Sequence, residues 1–528
     1  MNVETIVGFV GGRCKGESAE QDAWKEASVD SSQIKRTIRE HVDRFYGFID
    51  RPNDTRRFDE VESAMRDPLF ALGRLCLAFF LALREERSAR ELERWKRRGY
   101  RCRDRERKHL NTFFGRVTYW RTYVRRQGAT GFHPLDRVLG ITADGFSFLA
   151  MQVAARLSTF LPFEQVTALF LYFNSWSPSK TSVEKSVLGF GRFTQEWFAS
   201  APAPEGDGEV LVTQIDCKAT PTATEEELEK RRGKREKKER PLSPRHRGRA
   251  KRARRGPKRR RKKGDKSKNG KAATMVTQYT LKRALDEKGN PVLLGPINKK
   301  IYASYAPKRH AFEVARREAD KRGFTKDSGK RHQLVTDGDE DFAQLAKEFF
   351  TEATHTLDVM HVMEYVWEAG RFLYREGSKE LVAWVKKQET LLYKGKALLV
   401  VQHICDAQNR VGEKARRRLE KIRFYLQNRL HMMVYDELRA EDLEVASGVV
   451  EGAVRHVIGK RFDNGSMRWI RERAEALLQL RCIEINGDWD AFIAFTRAKL
   501  FPQYRRDAVV ARLLTSRTSS LPTSVVAA

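Results

Sequence analysis

The sequence predicts an α/β core interrupted by an all-α insertion and preceded by a mostly helical N-terminal region. Three observations carry this. Short apolar runs stop at aspartates: EVLVTQI before Asp216, HQLVT before Asp337 and THTL before Asp358. A long helical stretch, from about Val359 to Glu444, follows the last of them. Upstream, apolar residues recur at helical spacing, as in Ile34, Ile38, Val42 and Tyr46.

With 528 residues the chain is long enough for about three or four units at roughly 150 residues each. Hydrophobic residues at 40% and aromatics at 10% exclude a wholly disordered chain. Lys and Arg number 102 against 70 acids, a formal charge of +32, so a polyanion is the expected partner. Most of that charge is local. From Lys230 to Lys271 there are 24 Lys or Arg and three acids, leaving +21. This run lacks apolar periodicity and is expected to be a disordered arm, either a solvated loop that meets any polyanion or a grip on the DNA backbone.

The longest apolar stretch, Leu69 to Leu83, is short for a membrane span and contains Arg74, so no membrane is expected. The first residues show no basic segment ahead of an apolar one, and export is not expected either. The six cysteines lie far apart with no CxxC or Cys/His cluster, which argues against a zinc module and a disulfide framework. The chain reads as reduced and intracellular.

In chain order, residues 31 to about 105 read as helical with a break at Pro52, ending in the charged RSARELERWKRRGYRCRDRERKHL, taken as a helix that is solvated or lies against DNA. A β segment follows from Thr112 to Val124, with Gly115 as its turn. HPLDRVLGI leads into an apolar helix from about Ser147 to Leu161. A helix ending near Asn174, the break Ser-Trp-Ser-Pro and a new helix from about Ser179 make a candidate helix-turn-helix, with Lys180 and Lys185 facing out. Two packed helices without a DNA role are the alternative.

Beyond the basic run, Ala273 to Arg283 and Val292 to Ile297 flank the hairpin-like DEKGNP. Helices are expected over Lys308 to Arg322 and over Glu340 to Phe350, with Asp339 as a candidate N-cap for the second. The order strand, hairpin, helix, strand, helix, strand is that of the ribonuclease H-like fold. Its last helices are expected after the insertion, starting near Ala446. Trp367 and Trp384 in the insertion read as core, with base stacking as the alternative.

Asp216, Asp337 and Asp358 each close an apolar strand, at the edge where open α/β sheets place ligands. Any one alone reads as a cap or an Asx turn. Three together suit Mg²⁺ or Mn²⁺, which take oxygen ligands and neutralise clustered carboxylates. Glu451 lies in ASGVVEGAVRHVIGKRF. On a helix Gly448, Glu451, Gly452, Arg455 and Gly459 share one side, while Val450, Val454, Val457 and Arg461 share another. The glycines suggest close approach of a sheet, a metal or nucleic acid. The alternative for Glu451 is an i, i+4 ion pair with Arg455.

At these residues the chain resembles prokaryotic insertion-sequence transposases of the DDE type, close to the ISKra and ISLre groups and distantly Mutator-like. The resemblance runs from about Leu110 to Phe495. Its motifs are FGRVTYWRTYV, LDRVLGI, SPSKTSV, VTQIDCKAT, TDGDEDF, LDVMHVMEYV and SGVVEGAVRHVIGKRFDNGSMRW, followed by LQLR and NGDWDAF. It implies a catalytic, metal-binding triad of Asp216, Asp337 and Glu451, with Asp358 and His361 supporting it. Two departures stand out: Cys217 follows the first acid where Gly is usual, and the basic run is long for the family.

The resemblance also implies two Mg²⁺ or Mn²⁺ ions, cleavage by water and then strand transfer by a DNA 3′-hydroxyl. Double-stranded DNA is the implied partner, as terminal inverted repeats and as target, with a homodimer or larger assembly at work. DNA contacts are expected from Lys180, Lys185, Lys251, Arg252, Arg254, Arg255, Arg259, Arg260, Arg261 and Arg455. The alternatives are a ribonuclease H-like nuclease without strand transfer and a catalytically inactive, transposase-derived nucleic-acid-binding protein. The expected organisation is a helical region over 1–110 and a β segment with the helix-turn-helix over 111–200. The first part of the core follows over 205–358 with its basic loop at 225–272, then the insertion over 359–444, the final core helices over 445–500 and a tail over 501–528.

Overall fold

The computed structural model describes residues 31–51, 54–174, 176–226, 229, 271–287, 289, 291–463 and 469–501. Contacts divide the chain into two compact units, one of Met1–Gly189 with Ile493–Ala528 and the other of Phe190–Phe492.

In the first unit, α1 (Ser31–Ile49) packs on the 40-residue α2 (Phe58–Arg97) through Ile34, Ala78 and Ala82. No helix among the described residues is long and apolar enough to cross a membrane, α2 and its apolar Leu69 to Leu83 included. The charged segment after α2 corrects the helical expectation. Gly99 takes a φ of +79° and ends the helix, and Arg101–Thr112 forms a strand, β1, antiparallel to β2 (Gly115–Arg125). Apolar Leu110, Val117 and Tyr119 fix the inner face of this ribbon against Leu81 and Leu135. Helices α3 (Pro134–Leu139), α4 (Phe148–Phe160), α5 (Phe163–Asn174) and α6 (Lys180–Gly191) follow. Ser147 caps α4 by accepting from the Ala150 amide. α5, the break and α6 fall where the sequence puts them.

The second unit is built on a five-stranded mixed sheet, and the chain as a whole is a mixed α/β protein. After α7 (Thr194–Ser200) the strands are β3 (Val210–Thr220), β5 (Lys271–Leu285), β6 (Pro291–Ser304), β7 (Arg331–Thr336) and β8 (Thr354–Leu357). Their order across the sheet is β6-β5-β3-β7-β8. The β3–β5 and β5–β6 pairs are antiparallel, whereas β3–β7 and β7–β8 are parallel. A two-residue strand, β4 (Thr222–Ala223), leaves the sheet and pairs with β9 (Trp469–Ile470).

Residue alternation along the strands splits the core in two, because successive side chains point to opposite faces. Leu211 and Ile215 join Phe312 and Ala315 of α8 (Lys308–Lys321) and Phe342 of α9 (Glu340–Phe349) on one face. On the other, Val210, Val212 and Val335 join Val362 and Val366 of α10 (Val359–Leu373). That second core continues into α11 (Lys379–Tyr393), α12 (Ala397–Ala407), α13 (Glu413–Gln427) and α14 (Tyr435–Ala440), the helical stretch expected after Asp358. Trp367 and Trp384 pack against it, which supports the core reading. The chain then returns in α15 (Gly448–Ala453), and α16 (Arg471–Ile485) and α17 (Trp489–Leu500) close the described residues.

β3 also corrects an expectation. It runs on to Thr220, so Asp216 lies within the strand and not after it. The antiparallel partner β5 continues past the point where the parallel partner β7 stops, and pairing with Lys271–Met275 keeps Asp216–Thr220 extended.

Candidate active site

The register of the parallel strands puts three carboxylates in one row. Ile215 pairs with Thr336, and Thr336 with Leu357. Asp216, Asp337 and Asp358 are the next residues of those three adjacent strands, whose spacing is about 4.8 Å. The Asp358 amide donates to the Thr336 carbonyl at 2.9 Å, which continues the row beyond the ladder.

Each carboxylate is held differently. Asp216 is partly exposed and accepts from the Cys217 amide at 2.6 Å. Burial pushes its pKa up to about 6, and the charges of Asp337 and Glu451 push the same way against the opposing effects of the Cys217 amide and His361. Asp337 takes the Asp339 amide at 3.0 Å, which turns the loop sharply through Gly338 at φ +76°. Asp339 caps α9, as expected, and also pairs with Lys308 at 2.8 Å.

Asp358 is wholly buried and caps α10. Its two oxygens accept four hydrogen bonds, from the Met360 amide at 2.9 Å, the Ser447 amide at 3.2 Å, the Ser447 hydroxyl and His361 Nδ1 at 2.7 Å. Four bonds fill the acceptor capacity of a carboxylate. Burial alone would raise its pKa, but the bonds from His361, Ser447 and Met360 hold it below the ordinary value. In return the bond to Asp358 lifts His361 to about 9, helped by the charges of Asp358, Asp337 and Asp216 and opposed by burial. Asp358 is thus an anchor that orients His361, the arrangement by which a carboxylate fixes an imidazole beside a metal site.

Glu451 is exposed near the start of α15. The facing pattern expected for this segment holds except at Gly459: Val450, Val454, Val457 and Arg461 are buried and Gly448, Glu451, Gly452 and Arg455 are exposed, whereas Gly459 is half-buried. The expected close approach of a sheet at the glycines does not occur, because a Cβ at Gly448 or Gly452 would meet nothing within 4 Å. That side of the helix opens to solvent. From Val454 to Asp463 the helix widens into a π-helix, and the Arg481 guanidinium donates to the carbonyls of Val457 at 2.9 Å and His456 at 2.7 Å. A buried cation satisfies backbone acceptors in a turn type that recurs at functional sites.

Two strand glutamines with no role assigned from the sequence hold the segment that leads into α15. The Gln214 amide, two residues before Asp216, accepts from the Val450 amide at 2.9 Å and donates to the Ala446 carbonyl at 3.2 Å. Gln333 on β7 exchanges bonds with the backbone of Glu444 at 2.6 and 3.1 Å. Both are fully buried. Their signal in the sequence is an uncharged amide inside each apolar strand, in VTQID and in HQLVT.

Ligand atoms of Asp358, His361 and Glu451 lie within 4.8 Å of one another. Asp216 and Asp337 lie outside that group, but their charges act on His361, and the charges of Asp337 and Glu451 add to burial, the larger cause, in raising Asp216. Carboxylates beside one imidazole are a donor set that suits a divalent cation. Asp358 has no free acceptor site, whereas Asp216 and Asp337 each accept one backbone amide and keep acceptor capacity.

Lys180 and Lys185 are exposed on α6 in the first unit, Lys180 paired with Glu164 at 3.0 Å. Arg455 is exposed one helical turn after Glu451, and no ion pair joins the two among the described residues. Lys251, Arg252, Arg254, Arg255, Arg259, Arg260 and Arg261 lie outside the described residues. No family model and no curated protein matches this sequence.

Proposed function

We propose that this chain is a DDE-type transposase of a prokaryotic insertion sequence, with a ribonuclease H-like core, that cuts DNA at element ends and joins the freed ends to target DNA. The observation that carries the reading is the placement of Asp216 and Asp337 side by side on adjacent parallel strands, with the charge of Glu451 acting on Asp216. The order along the chain of strand, hairpin, helix, strand, helix, strand, from which that fold is inferred, supports the reading. The motif resemblance and the excess of basic residues support the choice of DNA.

Asp216, Asp337 and Glu451 would hold the divalent ions. Two bound ions would supply the Lewis acidity that lets a phosphodiester oxygen leave and a hydroxyl attack. The chain's own part is positioning. Gln214 and Gln333 set the start of α15 relative to the sheet, Asp358 and Ser447 tie that start to His361, and Arg455 stands ready for a phosphate. Because such a reaction acts on two DNA ends, the working form is at least a dimer.

The test is cleavage of a duplex carrying the element ends, with Mg²⁺ or Mn²⁺, by the full chain and by Asp216→Asn, Asp337→Asn and Glu451→Gln. Cleavage and end joining are expected from the parent and neither from the variants, all of which should still bind the duplex. Cleavage without joining assigns a nuclease. Binding with no cleavage by the parent assigns a non-catalytic binder, and full activity in all three variants removes the triad.

A further inference from the structure

The segment whose helical reading the structure overturns carries a basic surface of its own. In the β1–β2 ribbon Arg107 pairs with Trp120, His109 with Thr118 and Asn111 with Arg116, and directly opposed residues share a face. Leu110, Val117 and Tyr119 occupy the other face and are buried. Arg107, His109 and Arg116 are exposed, with Trp120 half-buried among them.

Arg107 and Arg116 have no acidic partner among the described residues, and Glu106 is taken by Arg121 at 2.6 Å and His133 at 2.7 Å. Burial and then the charges of Arg107, Arg116 and Lys108 hold His109 below its ordinary pKa. Toward the open end Arg101 and Arg125, both exposed, stand directly opposite each other, a like-charge pair that destabilises a free ribbon. An anion lying along the ribbon offsets both repulsions.

We propose that the outer face of this ribbon, built on Arg107, His109, Arg116 and Trp120, is a contact surface for duplex DNA. Strands of 12 and 11 residues span roughly 35 Å, about one turn of B-DNA, whose major groove admits a two-stranded ribbon. The deep, narrow major groove of an RNA helix does not, so the partner is DNA. The proposal shares with the reading above only the nature of the partner, and its test contains no divalent ion, so cleavage plays no part in it.

Binding of the full chain to a short labelled duplex of mixed sequence is measured by fluorescence anisotropy in EDTA across a salt series. Arg107→Gln with Arg116→Gln is compared with Arg317→Gln with Lys326→Gln, which removes equal exposed charge from the second unit. The ribbon pair is expected to weaken binding about tenfold or more and to lower the slope of log affinity against log salt by about two, one per lost phosphate contact. Arg107→Lys with Arg116→Lys should restore most of the affinity, which separates lost charge from lost fold. In parallel, arginine modification read by mass spectrometry should show Arg107 and Arg116 shielded by duplex DNA. A ribbon variant that binds like the control, or shielding by duplex RNA equal to that by DNA, would overturn the proposal.

Discussion

The phenol of Tyr425 donates to the main-chain carbonyl of Asp337, 88 residues earlier in the chain. Beside it, Arg429 donates to the carbonyl of Gly338 at 2.7 Å. Both donors come from α13 and the turn after it, so this helical stretch holds the loop that carries Asp337.

Tyr425→Phe removes one of these bonds with little change in shape, and a loss of about 1 kcal/mol is expected. The urea midpoint should fall slightly, and metal-dependent cleavage should fall by about tenfold because Asp337 gains freedom. Gly338→Ala should be far worse. Its Cβ would meet Leu357 Cδ1 at 2.5 Å, Tyr425 Oη at 2.6 Å and Arg429 Nε at 2.9 Å, at a φ of +76°. Wild-type cleavage by Tyr425→Phe would show that this contact does not hold the loop.

Gln214→Leu should destabilise the chain by about 1–3 kcal/mol, since it leaves the buried Val450 amide, and the Ala446 carbonyl in a half-buried position, without their partner. The start of α15 should then exchange its amide hydrogens faster, at Val450 and Glu451 first. Protection of those amides unchanged from the parent would place the anchor of Glu451 elsewhere.

Between about pH 6.5 and 4 His355 and Asp216 should pull stability in opposite directions, His355 lowering it as the pH falls and Asp216, raised to about 6, increasing it. His355 is brought down to about 4, by burial and then by the positive charges of His431 and Lys347, while Thr336 Oγ1 lies 2.9 Å from its Nε2. The unfolded chain, at the ordinary value of 6.5, binds that proton more readily, so the contribution of His355 is complete above about pH 6.5 and is lost as the pH approaches 4. The difference in urea midpoint between the parent and His355→Asn should therefore shrink as the pH falls over this interval. A difference that does not change with pH would remove His355 as a titrating group.

Replacing residues 230–270 with a short Gly-Ser linker should leave the melting temperature unchanged and weaken binding to every DNA sequence alike. The salt dependence should become markedly shallower, because 23 of the Lys and Arg counted from 230 onward go with it while Lys271 stays in β5. An unchanged salt slope would remove the run from the DNA-binding surface.

The parts of the fold and site legible in the sequence are those decided locally. VTQID, HQLVT and THTL read as strands because β-branched and apolar residues stop at an acid, and Asp339 reads as a cap because its side chain can accept from an amide in the first turn, here that of Asp341. What long-range pairing decides was not legible. Arg101–Thr112 has the charge of a solvated helix, and only β2 makes it a strand. Asp216 sits inside β3 because β5 outlasts β7 as a partner. Carbonyls of the π-helix after Glu451 find their donor in Arg481, which comes from another helix. The acids were visible as residue types. The glutamines that place them looked like ordinary strand polarity until their partners at Ala446, Val450 and Glu444 came into view.

The pairing of Thr220 with Lys271 has one more effect. The chain leaves the sheet and re-enters it at one rung, and β4 just after that exit is tied to β9. The pairing that places Asp216, opposite Met275, is made by residues outside the basic run.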